Sequence, residues 1–191
     1  MNATAVTQNP FLPRVEKPKG AFWRLSYYFM RKKFGVVVTP ASVFSVRMPL
    51  AFTAFYGKVG RLDKKLELDH DLALLIRERV ASLNGCLFCM DASRAAALER
   101  SEQLRRRLDE LSNYDTSALF TAHERAALTY VTELTTERFV EPETFAQLAA
   151  HFDEREICDL VYVVASEHMF NLSNIGLNIG SDNVCQIKAQ R

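Results

Sequence analysis

The sequence predicts an all-α protein, and three observations carry that reading. Apolar residues recur at helical spacing, most clearly from residue 69 onward. Capping signals, a Thr or Asp followed three residues later by Glu, stand just ahead of apolar runs. Nothing in the chain alternates strand with helix, and no Gly-rich phosphate loop occurs among the seven glycines.

Residues 1–19 hold three of the six prolines and little periodicity, so they read as a flexible N-terminal arm. Residues 20–191 read as a single all-α domain. "AFWRLSYYFMRKKF" is the first helix, with aromatic weight from Phe22, Trp23, Tyr27 and Phe34. After "GVVVTP", the segment "ASVFSVRMPLAFTAFYGKVGRL" is interrupted at Pro49, which has no backbone N–H to give, and two short helices are expected there. Asp69 is a plausible N-cap for a helix in which Leu72, Leu75, Ile76, Val80 and Leu83 share one face. Asn84-Gly85 ends it by offering a left-handed position.

A new helix is expected from about Cys86 through "RAAALERS", followed by the amphipathic "SEQLRRRLDELSNY". Thr121 and Glu124 form a capping box ahead of Leu128, Val131 and Leu134. Pro142 sits in the first turn of "ETFAQLAAHF". Asp153 and Glu156 repeat the capping box before "REICDLVYVVASEHMFNLSNIGL". "VYVVA" alone resembles a strand, but the helical pattern on both sides carries through it.

Composition narrows the function classes. The 191 residues are 48% hydrophobic and 25% charged with a net charge of +1, which suits one domain with a substantial core and gives no basic face for nucleic acid. The basic clusters at 31–33 and 105–107 read as solvated helix faces. No apolar run approaches the roughly 20 residues of a membrane span. The N-terminus has no basic start followed by an apolar core, so the expectation is a cytoplasmic protein without membrane attachment. Four cysteines are too few for a disulfide scaffold, and Cys158 and Cys185 are isolated thiols.

Cys86 and Cys89 differ from these because they are three apart, in "LNGCLFCMDAS". A C-x-x-C pair is a redox dithiol, half a zinc site, or two small apolar side chains on one face. Zinc needs further ligands, and His123, His151 and His168 are scattered with no second paired motif. At a helix N-terminus the exposed N–H groups favour thiolate, and both sulfurs fall on one side of the helix. Redox chemistry and packing both remain open on these local features.

"LALLIRERVASLNGCLFCMDASRAAAL" resembles the core signature of the carboxymuconolactone decarboxylase and alkylhydroperoxidase D-like superfamily, and "TAHERAALTYVTELT", "HFDEREICDLVYVVA" and "HMFNLSNIGLNIG" are similar to its following helices. The resemblance covers about residues 45–182. It implies an all-helical fold in symmetric homo-oligomers, commonly trimers or hexamers, with the dithiol near a subunit interface. It also implies a peroxidatic role for Cys89 and a resolving role for Cys86. The family's relay places a Glu twelve residues before the first cysteine, a His just before the second and a His four after it. Here those positions hold Leu74, Phe88 and Ser93, so three ionisable groups are missing.

The candidate substitutes are Glu78, one turn after Leu74; Ser93, whose hydroxyl can hydrogen-bond a thiolate but cannot act as a base near neutral pH; and Glu167 or His168 in the last long helix. Each has a plainer reading: Glu78 in an exposed Arg77-Glu78-Arg79 charge group, His168 as a structural histidine, Asp91 as a solvated or capping side chain. The leading expectation is a thiol-disulfide protein, a weak peroxidase or disulfide reductase that needs no metal, flavin or nucleotide and is regenerated by an external dithiol protein. One alternative is a non-catalytic oligomeric scaffold or ligand-binding protein, with the aromatic first helix packing on a neighbouring subunit or, less favoured, resting on a membrane surface through its apolar face and basic end. The other is decarboxylase-like chemistry, in which Arg77 and Arg79 would hold carboxylates.

Overall fold

A computed structural model describes residues 9–190, apart from the side chains of Phe52 and Thr53; residues 1–8 of the expected arm and Arg191 lie outside the described residues. Among the described residues there is no strand. The helices are α1 (Ala21–Phe34), α2 (Pro49–Ala51), α3 (Gly57–Leu62), α4 (His70–Asn84), α5 (Leu87–Ala97), α6 (Glu102–Asp109), α7 (Ala122–Glu137), α8 (Pro142–Ala149), α9 (Glu154–Ile175) and α10 (Val184–Ala189). Pro49 begins α2, as a residue without an N–H can, and the flanking segments Ala41–Ser45 and Phe52–Tyr56 are π-helical. "VYVVA" is helical throughout within α9.

The capping residues act as the sequence suggests. Asp69 accepts from the Leu72 N–H at 2.8 Å, while Thr121–Glu124 and Asp153–Glu156 both form complete capping boxes. Such caps satisfy backbone donors that would otherwise be orphaned, each worth on the order of 1 kcal/mol.

Helix α4 is the centre of the fold and packs against α5, α7 and α9. On one side Leu72, Ile76 and Val80 meet Ala127, Tyr130 and Val131 of α7 and Leu160, Val163 and Val164 of α9. On the other, Leu74 and Leu75 meet Ala97, Leu104 and Leu108 of α5 and α6. Full burial of each large aliphatic side chain contributes roughly 1.5–3 kcal/mol, so this helix is fixed from both sides. That rigidity sets where its C-terminal end delivers the dithiol.

From residue 9 onward the arm makes long-range hydrogen bonds. Phe11 N–H donates to Leu177, Val15 N–H to Ser42 at 2.9 Å, and the Tyr27 hydroxyl to the Val15 carbonyl at 2.9 Å. Helix α10 had no signal in the sequence reading. Its first N–H groups are taken up by Asp91 of α5, which accepts from Val184 N–H at 2.7 Å and Cys185 N–H at 2.9 Å. Asp91 is therefore buried and acts as a cap across helices.

Candidate active site

The dithiol is placed by a tight turn. Gly85 ends α4 in the left-handed region (φ 71°), where a side chain would be strained, and Cys86 N–H returns to the Ala81 carbonyl at 2.9 Å. Cys86 is then the N-cap of α5 and Cys89 lies one turn inside it. Both thiols are free and buried, 1% and 7% exposed, with their sulfurs 2.7 Å apart. The Asn174 amide from α9 donates towards both, at 3.4 Å to Cys89 Sγ and 3.8 Å to Cys86 Sγ.

The two sulfurs are not equivalent. The hydrogen bond between the two sulfurs, with help from Asn174, holds the Cys86 thiol below its ordinary range. The same contact raises Cys89, and burial and the nearby charge of Glu167 push it further up. Cys89, and not Cys86, lines a neighbouring cavity of about 290 Å³.

Leu74, Phe88 and Ser93, the three positions lacking the family's ionisable groups, all line this cavity. Leu74 and Phe88 make a mostly apolar wall, continued by Phe170 and by Tyr56, whose ring stacks on Phe170 at 5.1 Å between centroids. Burial and the Cys89 sulfur push the Tyr56 phenol up to about 12, so it stays neutral.

Charge enters from other elements. Arg77 of α4 reaches Asp63 Oδ1 at 2.9 Å and Glu167 Oε2 at 3.2 Å, and all three side chains line the cavity. Asn171 donates to Glu167 Oε1 at 2.7 Å, and is itself held by Asn84 at 2.8 Å. Burial pushes the Glu167 carboxyl up, against the opposing pull of Arg77 and Asn171.

The remaining candidates lie elsewhere. Glu78 is 2% exposed rather than solvated and pairs with Arg94 of α5 at 3.2 Å, beside a separate cavity of about 90 Å³. Its Oε2 has no hydrogen-bond partner among the described residues, and burial pushes its carboxyl up to about 7. His168 is half-buried outside the dithiol cavity, with Nδ1 3.0 Å from Asn84 and Nε2 3.2 Å from Arg138, and burial lowers it from its ordinary value. Arg79 is bonded to Thr132 at 2.9 Å and does not line the dithiol cavity.

The sequence reading missed Asp63, Tyr56, Phe170 and Asn174 as site residues. One signal was available: Glu167, Asn171 and Asn174 stand at i, i+4 and i+7, a polar stripe that α9 buries instead of exposing. Asp63 and Tyr56 come from segments with no motif, and nothing about Phe170 sets it apart from other apolar residues of α9. Among the described residues no group of three or more His, Cys, Asp and Glu side chains is placed to hold a metal ion.

An all-helical fold with a buried dithiol at a helix start thus defines the class of the protein. Residues 46–133 match the Carboxymuconolactone decarboxylase family. "Uncharacterized protein YnjA" of Escherichia coli (strain K12) is 28% identical over 163 residues, covering 84% of this chain and 88% of that protein. The debrominase Bmp8, solved as a cysteine-to-alanine variant in complex with 2,3,4-tribromopyrrole, shares the fold with a TM-score of 0.79 at 17% identity, over 95% of this chain and 97% of its own. An uncharacterized peroxidase-related protein of Ralstonia eutropha JMP134, described as an alkylhydroperoxidase AhpD core, matches with a TM-score of 0.72 at 19% identity over 94% and 97%. The family match thus covers the segment that carries the dithiol, and these solved structures share the fold.

Proposed function

We propose that the protein is a thiol-disulfide redox protein in which Cys89 and Cys86 together reduce a small organic acceptor, a hydroperoxide or a disulfide. The observation that carries this reading is the pair of free thiols 2.7 Å apart, with an amide donor on both and only Cys89 lining the cavity. Packing alone gives no reason for a buried carboxylate and an amide to converge on two sulfurs.

With a hydroperoxide, the Cys89 sulfur attacks the terminal oxygen, the O–O bond breaks, and the alcohol leaves with a proton. Cys86 then attacks the sulfenic acid sulfur of Cys89, and hydroxide leaves as water after taking a proton. The 86–89 disulfide carries the two electrons lost, and an external dithiol protein restores both thiols. Contracting 2.7 Å to a disulfide of about 2.05 Å needs only a small side-chain movement. The lowered Cys86 suits it to the resolving attack, and the raised Cys89 requires a proton acceptor.

Glu167 fills that role: it takes the Cys89 proton as the attack begins and delivers it to the leaving oxygen, with Arg77 and Asn171 holding its carboxylate in place. Ser93 offers a hydroxyl to the bound acceptor from the cavity wall. Glu78 and His168 have no contact role in this scheme. The exposed apolar residues Phe22, Leu25, Tyr28 and Phe29 of α1 support packing against further copies of the chain, as a homo-oligomer in the cytoplasm. No helix among the described residues is long and apolar enough to cross a membrane.

Cys89→Ser should abolish hydroperoxide-dependent consumption of dithiothreitol, while Cys86→Ser should stop at a sulfenic acid trapped by dimedone. Turnover retained by Cys89→Ser would overturn the assignment.

A further inference from the structure

We infer that the dithiol cavity selects an uncharged aromatic acceptor, and that Asp63 is the residue that enforces the charge selection. This rests on the dithiol reading above and specifies the chemistry of what Cys89 meets.

The walls supply the aromatic half of the inference. Tyr56 and Phe170 present a stacked pair of rings, and Phe88, Leu74 and Ala96 complete an apolar surface beside the Cys89 sulfur. A flat ring gains from face and edge contacts with such walls that an aliphatic chain of equal size lacks. At about 290 Å³ the cavity takes one substituted ring, whereas hydrogen peroxide would leave most of that surface unfilled.

The charges supply the other half. Apart from the Cys89 thiol and the neutral Tyr56 phenol, the ionisable side chains lining the cavity are Asp63, Arg77 and Glu167. Arg77 divides its guanidinium between the two carboxylates, 2.9 Å from one and 3.2 Å from the other, so one negative charge is left over. Protonating Glu167 brings the sum to zero and never to a cation. An anionic acceptor would have to lose its hydration beside a site of its own sign, with the lining arginine already engaged. The same barrier faces the carboxylates of a decarboxylase substrate, for which Arg77 would have to be free. Asp63 is the member of this trio nearest to solvent, with 35% of its side chain exposed against 6% for Glu167. It is therefore the cavity carboxylate most open to solvent.

The test uses three disulfides that undergo one reaction: the reagent's S–S bond breaks, the 86–89 bond forms, two electrons pass to the reagent, and two small thiols leave with the two protons. The reagents are 4,4′-dithiodipyridine (aromatic, uncharged), 5,5′-dithiobis(2-nitrobenzoate) (aromatic, dianionic) and bis(2-hydroxyethyl) disulfide (aliphatic, uncharged). The full-length chain carries Cys158→Ser and Cys185→Ser so that only the pair reports. Each rate of 86–89 disulfide formation, followed by mass spectrometry, is divided by the reagent's rate with dithiothreitol. The uncharged aromatic reagent should exceed both others by at least about tenfold on this normalised scale. Asp63→Asn, which removes one negative charge and releases part of Arg77, should raise the dianionic-to-uncharged ratio by about threefold or more.

Equal normalised rates for the three reagents would overturn the selectivity while leaving the dithiol chemistry standing. A wild-type preference that Asp63→Asn fails to reduce would overturn the role of Asp63. Failure to form the 86–89 disulfide with any reagent would overturn the redox reading and this inference with it. The wild-type comparison decides the selectivity even if Asp63→Asn does not fold.

Discussion

Two buried glutamates, Glu167 and Glu78, make the useful comparison. Both are under 5% exposed, both pair with an arginine at 3.2 Å, and burial pushes both carboxyls up. They differ in what else surrounds them. Glu167 has both oxygens engaged and shares a cavity with Cys89, while Glu78 leaves one oxygen unpartnered and faces α6 beside a small separate space. Burial and an arginine partner therefore do not by themselves make a carboxylate part of a site. The neighbour across the cavity decides it.

Substitution by the neutral isostere separates the two most sharply. Glu167→Gln should slow reaction of Cys89 with an uncharged hydroperoxide by about 100-fold, the scale of a lost general base, and Glu78→Gln should stay within about twofold. Stopped-flow peroxide kinetics read both. Equal losses would remove the distinction.

Glu78 also carries a pH signature in stability. Glu78 sits at about 7 when folded against an ordinary 4.5, so between those values the folded chain keeps a proton that the unfolded chain has lost. Stability is complete below about pH 4.5 and falls as pH rises towards 7, by roughly 2–3 kcal/mol from this group. Glu78→Gln should remove that part of the decline when urea unfolding is compared at pH 5 and pH 8. An unchanged pH dependence would contradict the assignment.

The Glu78 and Glu167 positions also show where sequence pattern stops. Leu74 and Glu78 are four apart, so a carboxylate in place of the missing relay acid was a fair expectation from spacing. Positions 77 and 78 point about 100° apart on a helix, and it is Arg77 that turns into the cavity while Arg94 takes Glu78. Which of two adjacent residues faces a site depends on partners from other helices, and one sequence does not display them. The helices themselves were legible because caps and apolar spacing are local: Asp69, Thr121 and Asp153 each start a helix where expected. Helix α10 was not, since its start depends on Asp91, more than 90 residues earlier in the chain. The cysteine pair was the part of the site most legible in the chain, and Asp63 and Tyr56 the least.

Smaller effects refine the picture around the sulfurs. Asn174→Ala removes the amide that donates to both and should slow disulfide formation about tenfold, reflecting one hydrogen bond to a charged acceptor. It should also raise the pH at which the pair is half-alkylated by iodoacetamide. Ser93→Ala, which removes a hydroxyl from the wall but no charge, should change the rate by no more than about twofold. A larger loss would give Ser93 a place in the proton path.

The most direct measurement concerns the dithiol itself. The reduced protein is mixed with a small excess of cumene hydroperoxide, quenched with an alkylating reagent over time, and mapped by mass spectrometry. The expected result is rapid loss of alkylation at Cys86 and Cys89 together, matched by an 86–89 disulfide, while Cys158 and Cys185 remain alkylated. Cys86 and Cys89 that both stay free for hours in excess peroxide would contradict a working dithiol and leave the fold without this chemistry.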